Sequence, residues 1–133
     1  MANTVYPKGK EALLSGLVNI PSDTIKVALV TGTYVFSAAH DFYNDVSGVI
    51  STPQTLGSKT ITSGVFSAAN PVFPSVTAGS TARGLVVYKD TGTPSTSPLL
   101  AFIDTNGDTT PINIVTDGTN ITVAWSGGRV FRI

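Results

Sequence analysis

From Ile25 onward the apolar residues come in short, largely β-branched runs, and Gly, Pro, Asn or Asp interrupts them every few residues. That spacing leaves no room for a long helix and reads as strand, turn, strand. Roughly eight to ten short strands are predicted, which implies an all-β antiparallel sandwich or barrel. The 133 residues form one β domain, 1-133, with no linker and no repeat of fixed period. Surface scaling for this size gives roughly 6,600 Å² exposed and about two-thirds of the unfolded surface buried, enough for a core without staples.

One short N-terminal helix precedes the strands. Pro7 suits a first helical position, and Leu13/Leu17 and Leu14/Val18 share a face at i,i+4 spacing, predicting a helix over Pro7–Leu17 that packs on a sheet. Ile20-Pro21 stops it. Ile25–Thr31 is a buried strand with Ile25, Val27 and Leu29 on one face. Gly32–Val65 reads as a loop-rich excursion with weak strands near Ser47–Ile50 and Ser58–Thr62. Short strands follow at Ser63–Ala68 and Val72–Val76, the second confined to an edge by Pro74. Stronger ones cover Arg83–Lys89 and Leu99–Asp104, joined by Asp90–Pro98 as an exposed arm. Ile112–Thr116 and Thr119–Trp125 flank Asp117-Gly118, a type I′ hairpin signal, and with Arg129–Ile133 they predict a terminal three-stranded meander.

Composition limits the chemistry. There is no cysteine, one histidine (His40) and one glutamate (Glu11), so thiolate metal sites and cysteine nucleophiles are excluded and acid/base chemistry is poorly supplied. His40-Asp41 lacks a serine on a G-x-S-x-G turn, and chain neighbours rarely face each other as a base and its orienter must. Asp41, Asp45 and Glu11 could meet only through the fold. Asp104-Thr105-Asn106-Gly107-Asp108 has Val115 where a calcium loop needs its bidentate glutamate, and reads as a polar turn. Trp125, Tyr88 and Phe131 could line a sugar platform, but aromatics in a terminal meander fit core or interface better. The expectation is a protein that is not an enzyme, with no cofactor and no metal.

Charge is equally sparse. Eight basic and eight acidic side chains give net charge zero, and only 12% of residues are charged, about half the usual share. Nineteen Thr and thirteen Ser fill the gap. A surface so poor in charge has weak colloidal protection, which suits either a protein largely covered in an assembly or a Thr-rich secreted β domain. The scattered arginines and lysines form no nucleic-acid footprint. The longest apolar run, Val27–Val30, is too short for a bilayer, and the N-terminus has no apolar run of signal-peptide length. Neither nucleic acid nor membrane is expected as a partner.

Several segments carry a resemblance. Asp23–Val30, His40-Asp41-Phe42, Asp45-Val46-Ser47, Gly64-Val65-Phe66, Thr81–Gly92, Ser97–Asp104, Ile121–Trp125 and Val130–Ile133 stand in the order found in a family of small tailed-bacteriophage virion structural proteins. The sequence is similar to that family along nearly its whole length, departing at Gly48–Pro53, where the family often has a Gly-rich stretch. The resemblance implies a phage particle component, either capsid decoration (cement) or tail-associated, and supplies no catalytic residues.

The expectation is therefore a capsid decoration protein that binds the major capsid protein and stabilises the shell. It would be made in the host cytoplasm, reside on the virion capsid surface, and act as a homo-oligomer, with a trimer favoured. The alternative is a tail, neck or head-fibre component contacting the host surface. Interface residues are expected in the N-terminal arm Met1–Tyr6 (Val5, Tyr6), the middle excursion (Phe42, Tyr43) and the Asp90–Pro98 loop (Thr93, Pro94).

Overall fold

The computed structural model describes residues 4–105, 111–125 and 128–132. Among the described residues the fold is all-β with one helix, and its sheets are antiparallel and form no closed barrel. Twelve strands occur among the described residues, several only two residues long. The exposed surface is 6580 Å², close to the value expected from chain length.

A five-stranded sheet forms the centre, in the order β1 (Thr4–Val5), β9 (Leu99–Ile103), β8 (Gly84–Lys89), β2 (Ile25–Val30), β3 (Gln54–Thr55). The three long strands match the sequence reading to within about a residue at each end. Alternation along them splits the apolar residues between two faces. Ile25, Val27, Leu29, Leu85 and Val87 face one cluster, and Ala28, Val30, Val86 and Tyr88 face another. Both faces are buried, which explains why these strands read as continuous apolar runs.

The first face is covered by three small sheets: β10 (Ile114–Val115) with β7 (Thr81–Ala82), β11 (Ile121–Thr122) with β6 (Val72–Phe73), and β12 (Arg129–Arg132) with β5 (Val65–Ser67) and β4 (Thr60–Thr62). Phe66, Phe73, Ile112, Ile121, Trp125 and Val130 come from this layer into the first cluster. The second face is covered by the excursion after β2, whose Tyr34, Phe36, Tyr43 and Val46 pack there beside Tyr6.

Helix α1 spans Pro7–Leu14, shorter than predicted and with its buried face shifted. Gly16, at φ +80°, donates its N–H to the Leu13 carbonyl while Leu17 donates to Ala12, the paired bonds of a Schellman end. Gly9 and Ala12 face inward, whereas Leu14 and Leu17 are 85% and 56% exposed. Leu13 and Val18 pack against the core as the spacing predicts, but the helix face centres on Gly9 and Ala12, because Gly9, lacking a Cβ, lets the helix backbone approach β9 closely. A Cβ at Gly9 would lie 2.5 Å from the Leu99 carbonyl oxygen.

The predicted terminal meander does not form. β10 pairs with β7, β11 with β6, and β12 with β5, so no two of these last strands are neighbours. At Asp117-Gly118 only the glycine has positive φ, and the Asp117 carboxylate accepts from the Thr119 N–H (3.1 Å) and from its hydroxyl. That local turn leaves each strand free for a distant partner. The two-residue hairpin lies instead at Ser63-Gly64, with φ of 51° and 78°, joining β4 to β5. Of the excursion's two weak strands, Ser58–Thr62 contains β4, while Ser47–Ile50 supplies only the isolated bridge Val30–Val49. The turn expected at Asn106-Gly107-Asp108 lies outside the described residues.

Candidate functional site

Four of the six residues expected at an interface come together. The chain segments around Phe42-Tyr43 and Thr93-Pro94 each form a single 3₁₀ turn, Tyr43–Asp45 and Pro94–Thr96. Backbone bonds lock the two together: Tyr43 N–H donates to Ser97 O (2.8 Å), and Leu99 N–H donates to Asp41 O (3.0 Å). Tyr43 is half-buried, its ring stacked on Tyr88 with centroids 4.0 Å apart.

The Asp90–Pro98 segment is exposed over residues 91–96, but it is no free arm. Thr91 Oγ1 lies 2.7 Å from Thr96 Oγ1, Ser97 Oγ donates to Thr93 O (2.8 Å), and Asp90 Oδ1 accepts from Gly92 N–H (2.9 Å). Ser97 is buried at the base. The loop is thus a folded knob, and a knob already ordered loses little entropy when a partner closes over it.

Val5 and Tyr6 correct the sequence reading. Thr4–Val5 is an edge strand paired with Ala101–Phe102 rather than part of a loose arm. Tyr6 is fully buried, its hydroxyl 2.6 Å from that of Tyr34, which in turn lies 2.9 Å from His40 Nδ1. Burial holds the Tyr6 phenol far above its ordinary range, and the Tyr34 hydroxyl adds to that effect. Tyr6 therefore anchors the core and cannot serve as a contact residue. Its partner stands 28 positions away, so no local signal could have shown this.

The structure also brings Glu11 and Asp41 to a shared cleft of about 240 Å³ with Lys8, Leu17, Phe42 and Pro98. Lys8 Nζ is 3.3 Å from Glu11 Oε2. Asp45 turns elsewhere: its carboxylate accepts from the Asp41 N–H (3.1 Å), which holds its pKa below the ordinary aspartate value. A second cleft, about 410 Å³, is lined by Tyr34, Val35, Phe36 and Phe102 with Arg83 and Asp104, and it contains none of the six expected residues. Among the described residues no three His, Cys, Asp or Glu side chains group closely enough to hold a metal ion, and no helix is long and apolar enough to cross a membrane.

Trp125 and Tyr88 lie in the core, not on a platform. Trp125 is 7% exposed, and its indole N–H donates to Ala69 O (3.1 Å). Phe131 packs edge-on against Phe66. Sequence reasoning missed Leu14 and Leu17, which it placed on the buried face; Leu17 lines the same cleft as Phe42.

The lysines mostly serve the fold. Lys26 Nζ meets Asp90 Oδ2 at 2.9 Å, and Lys89 Nζ meets Asp23 Oδ2 at 3.1 Å and the Leu17 carbonyl at 2.8 Å. Lys59 Nζ donates to Asp23 O. The Lys26 contact, with the Gly92 N–H, lowers the pKa of Asp90. For Asp23 the Asn19 N–H is the main cause of a lowered pKa, with Lys89 contributing.

No family model matches this chain, and none of the curated proteins compared with it matches either.

Proposed function

We propose that the chain is a bacteriophage virion structural protein, a capsid decoration protein that attaches to the major capsid protein and stabilises the shell. The observation that carries this reading is the character of the surface. Sixteen charged side chains serve 6580 Å², and four of the five lysines are engaged within the chain. Seven large apolar residues are exposed among the described residues. A surface of hydroxyls and scattered apolar groups gains from being covered, because little charge must be stripped of water.

The attachment face in this reading is the cleft between α1 and the Asp41-Phe42 segment, with Leu17 and Phe42 as apolar contacts and Thr93-Pro94 as the preformed knob. Specific attachment needs roughly 800 Å² per partner, about an eighth of this surface, and shell symmetry then repeats each contact. An oligomer would multiply it. Anything that binds only the assembled, folded shell raises the shell's stability by mass action.

The test is to add the purified chain to shells lacking it and to measure saturation and the temperature of DNA release. The expected result is saturable binding with a raised release temperature. Phe42→Asp, which puts a charge into the covered face, is expected to weaken binding at least about tenfold. Unchanged binding by Phe42→Asp removes the assigned face, and no binding by the natural chain removes the decoration reading.

A further inference from the structure

The three-stranded sheet β12-β5-β4 has two very different edges. β12 is bounded by two exposed arginines, Arg129 and Arg132, a charged guard that discourages further strand pairing. β4 is Thr60-Ile61-Thr62, uncharged, β-branched and exposed at every residue. The neighbouring Lys59 offers no guard, because its ammonium is engaged with the Asp23 carbonyl.

The hairpin geometry fixes what this edge presents. A two-residue loop makes the flanking pair Thr62–Val65 a hydrogen-bonded one, so Ile61–Phe66 is a non-bonded pair and Thr60–Ser67 is bonded again. The Ile61 N–H and C=O therefore point away from β5, and among the described residues nothing bonds them. The Ile61 side chain shares a face with Phe66 and Phe131, extending a row across the sheet to its edge, where it remains 49% exposed.

We propose that β4 pairs with β4 of a second copy of this chain, antiparallel about a two-fold axis at Ile61. In that register the two Ile61 residues exchange both backbone bonds, Thr60 faces Thr62 of the partner, and Lys59 faces Ser63. Cross-strand threonine pairs are favourable, and no like charges stand opposite. The row Phe131–Phe66–Ile61 continues into its own mirror, and two three-stranded sheets become one of six. This self-complementarity selects a second copy as the occupant. The pairing stands apart from the attachment reading: its failure leaves shell binding untouched, and the reverse also holds.

The test uses the full chain, which has no natural cysteine. Ile61→Cys puts two thiols on the axis, within the backbone separation a disulfide spans. It is expected to form covalent dimers at least about tenfold faster than Leu14→Cys, a more exposed but unpaired control. Ile61→Lys and Ile61→Glu should each fail to self-associate in sedimentation, whereas their mixture restores a dimer of one copy of each. Restoration also shows that both variants are folded. Equal cross-linking rates, or no dimer in the mixture, overturn the pairing. Monomers throughout, combined with weaker shell binding by Ile61→Lys, would assign the edge to a strand of the shell and overturn it likewise.

Discussion

Replacing Gly9 with alanine tests how the helix sits on the central sheet. A Cβ at this position would lie 2.5 Å from the Leu99 carbonyl oxygen and 3.0 Å from the Leu100 Cα and carbonyl oxygen. A relaxed C···O contact needs about 3.4 Å, so the helix must withdraw by roughly 0.9 Å along that contact. These neighbours are β9 backbone, and they cannot swing aside as a side chain would. Overpacking costs about 1–3 kcal/mol, and a 2.5 Å contact against immobile backbone sits in the upper part of that range, about 2–3 kcal/mol. Alanine's better helix propensity returns about 1 kcal/mol. The expected loss is therefore about 1–2 kcal/mol. At roughly 2.1 cal/mol/K of unfolding entropy per residue, that lowers Tm by about 4–7 °C for a 133-residue chain. Thermal unfolding followed by circular dichroism measures it. Gly57→Ala is the control, since nothing lies within 4 Å of a Cβ there and its φ is not positive; it should leave Tm unchanged or slightly raised. A Gly9→Ala chain as stable as Gly57→Ala would refute the close seating of α1 on β9.

Three further outcomes concern the tyrosines, the paired aspartates and Trp125. All four tyrosines, Tyr6, Tyr34, Tyr43 and Tyr88, are held above their ordinary pKa, chiefly by burial. Keeping these phenols neutral stabilises the fold fully below about pH 10, and that stability is lost as pH rises beyond the unfolded value. Phenolate absorbance should accordingly stay low past pH 10 and then appear together with unfolding; an ordinary titration in a chain that remains folded would contradict the buried placement. At the acid end, Asp23 and Asp90 have lowered pKa values. Their contribution is complete above the ordinary aspartate range and disappears as pH falls through the lowered folded values, so Asp90→Asn should flatten the acid slope of stability in urea titrations at low salt. Trp125→Phe removes the indole bond to Ala69 O and part of the core volume, and should cost about 2–3 kcal/mol in urea unfolding.

The fold class was legible because its signals are local. Ile25–Val30, Gly84–Lys89 and Leu99–Ile103 are apolar, β-branched and bounded by turn residues, and they became the central strands. Which strand pairs with which was not legible. Asp117-Gly118 carries a hairpin signal, yet its flanking strands join β7 and β6, tens of residues away. The real hairpin turns on Ser63-Gly64, and serine at positive φ is too uncommon to announce itself. Around the candidate face, Phe42, Tyr43, Thr93 and Pro94 were chosen separately from loop composition, and the fold placed their segments side by side. Tyr6 was misread because a short segment before a helix resembles an arm until its hydroxyl partner is known.

The central claim is attachment to a shell in repeated copies, and copy number tests it most directly. On the proposed reading, quantitative mass spectrometry of purified phage particles, scaled to the major capsid protein, gives the ratio. One copy per capsid subunit, or a simple fraction of that, is the predicted result. A few copies per hundred subunits would contradict decoration and move the chain to the tail, neck or a head fibre, and absence from the particle would contradict both.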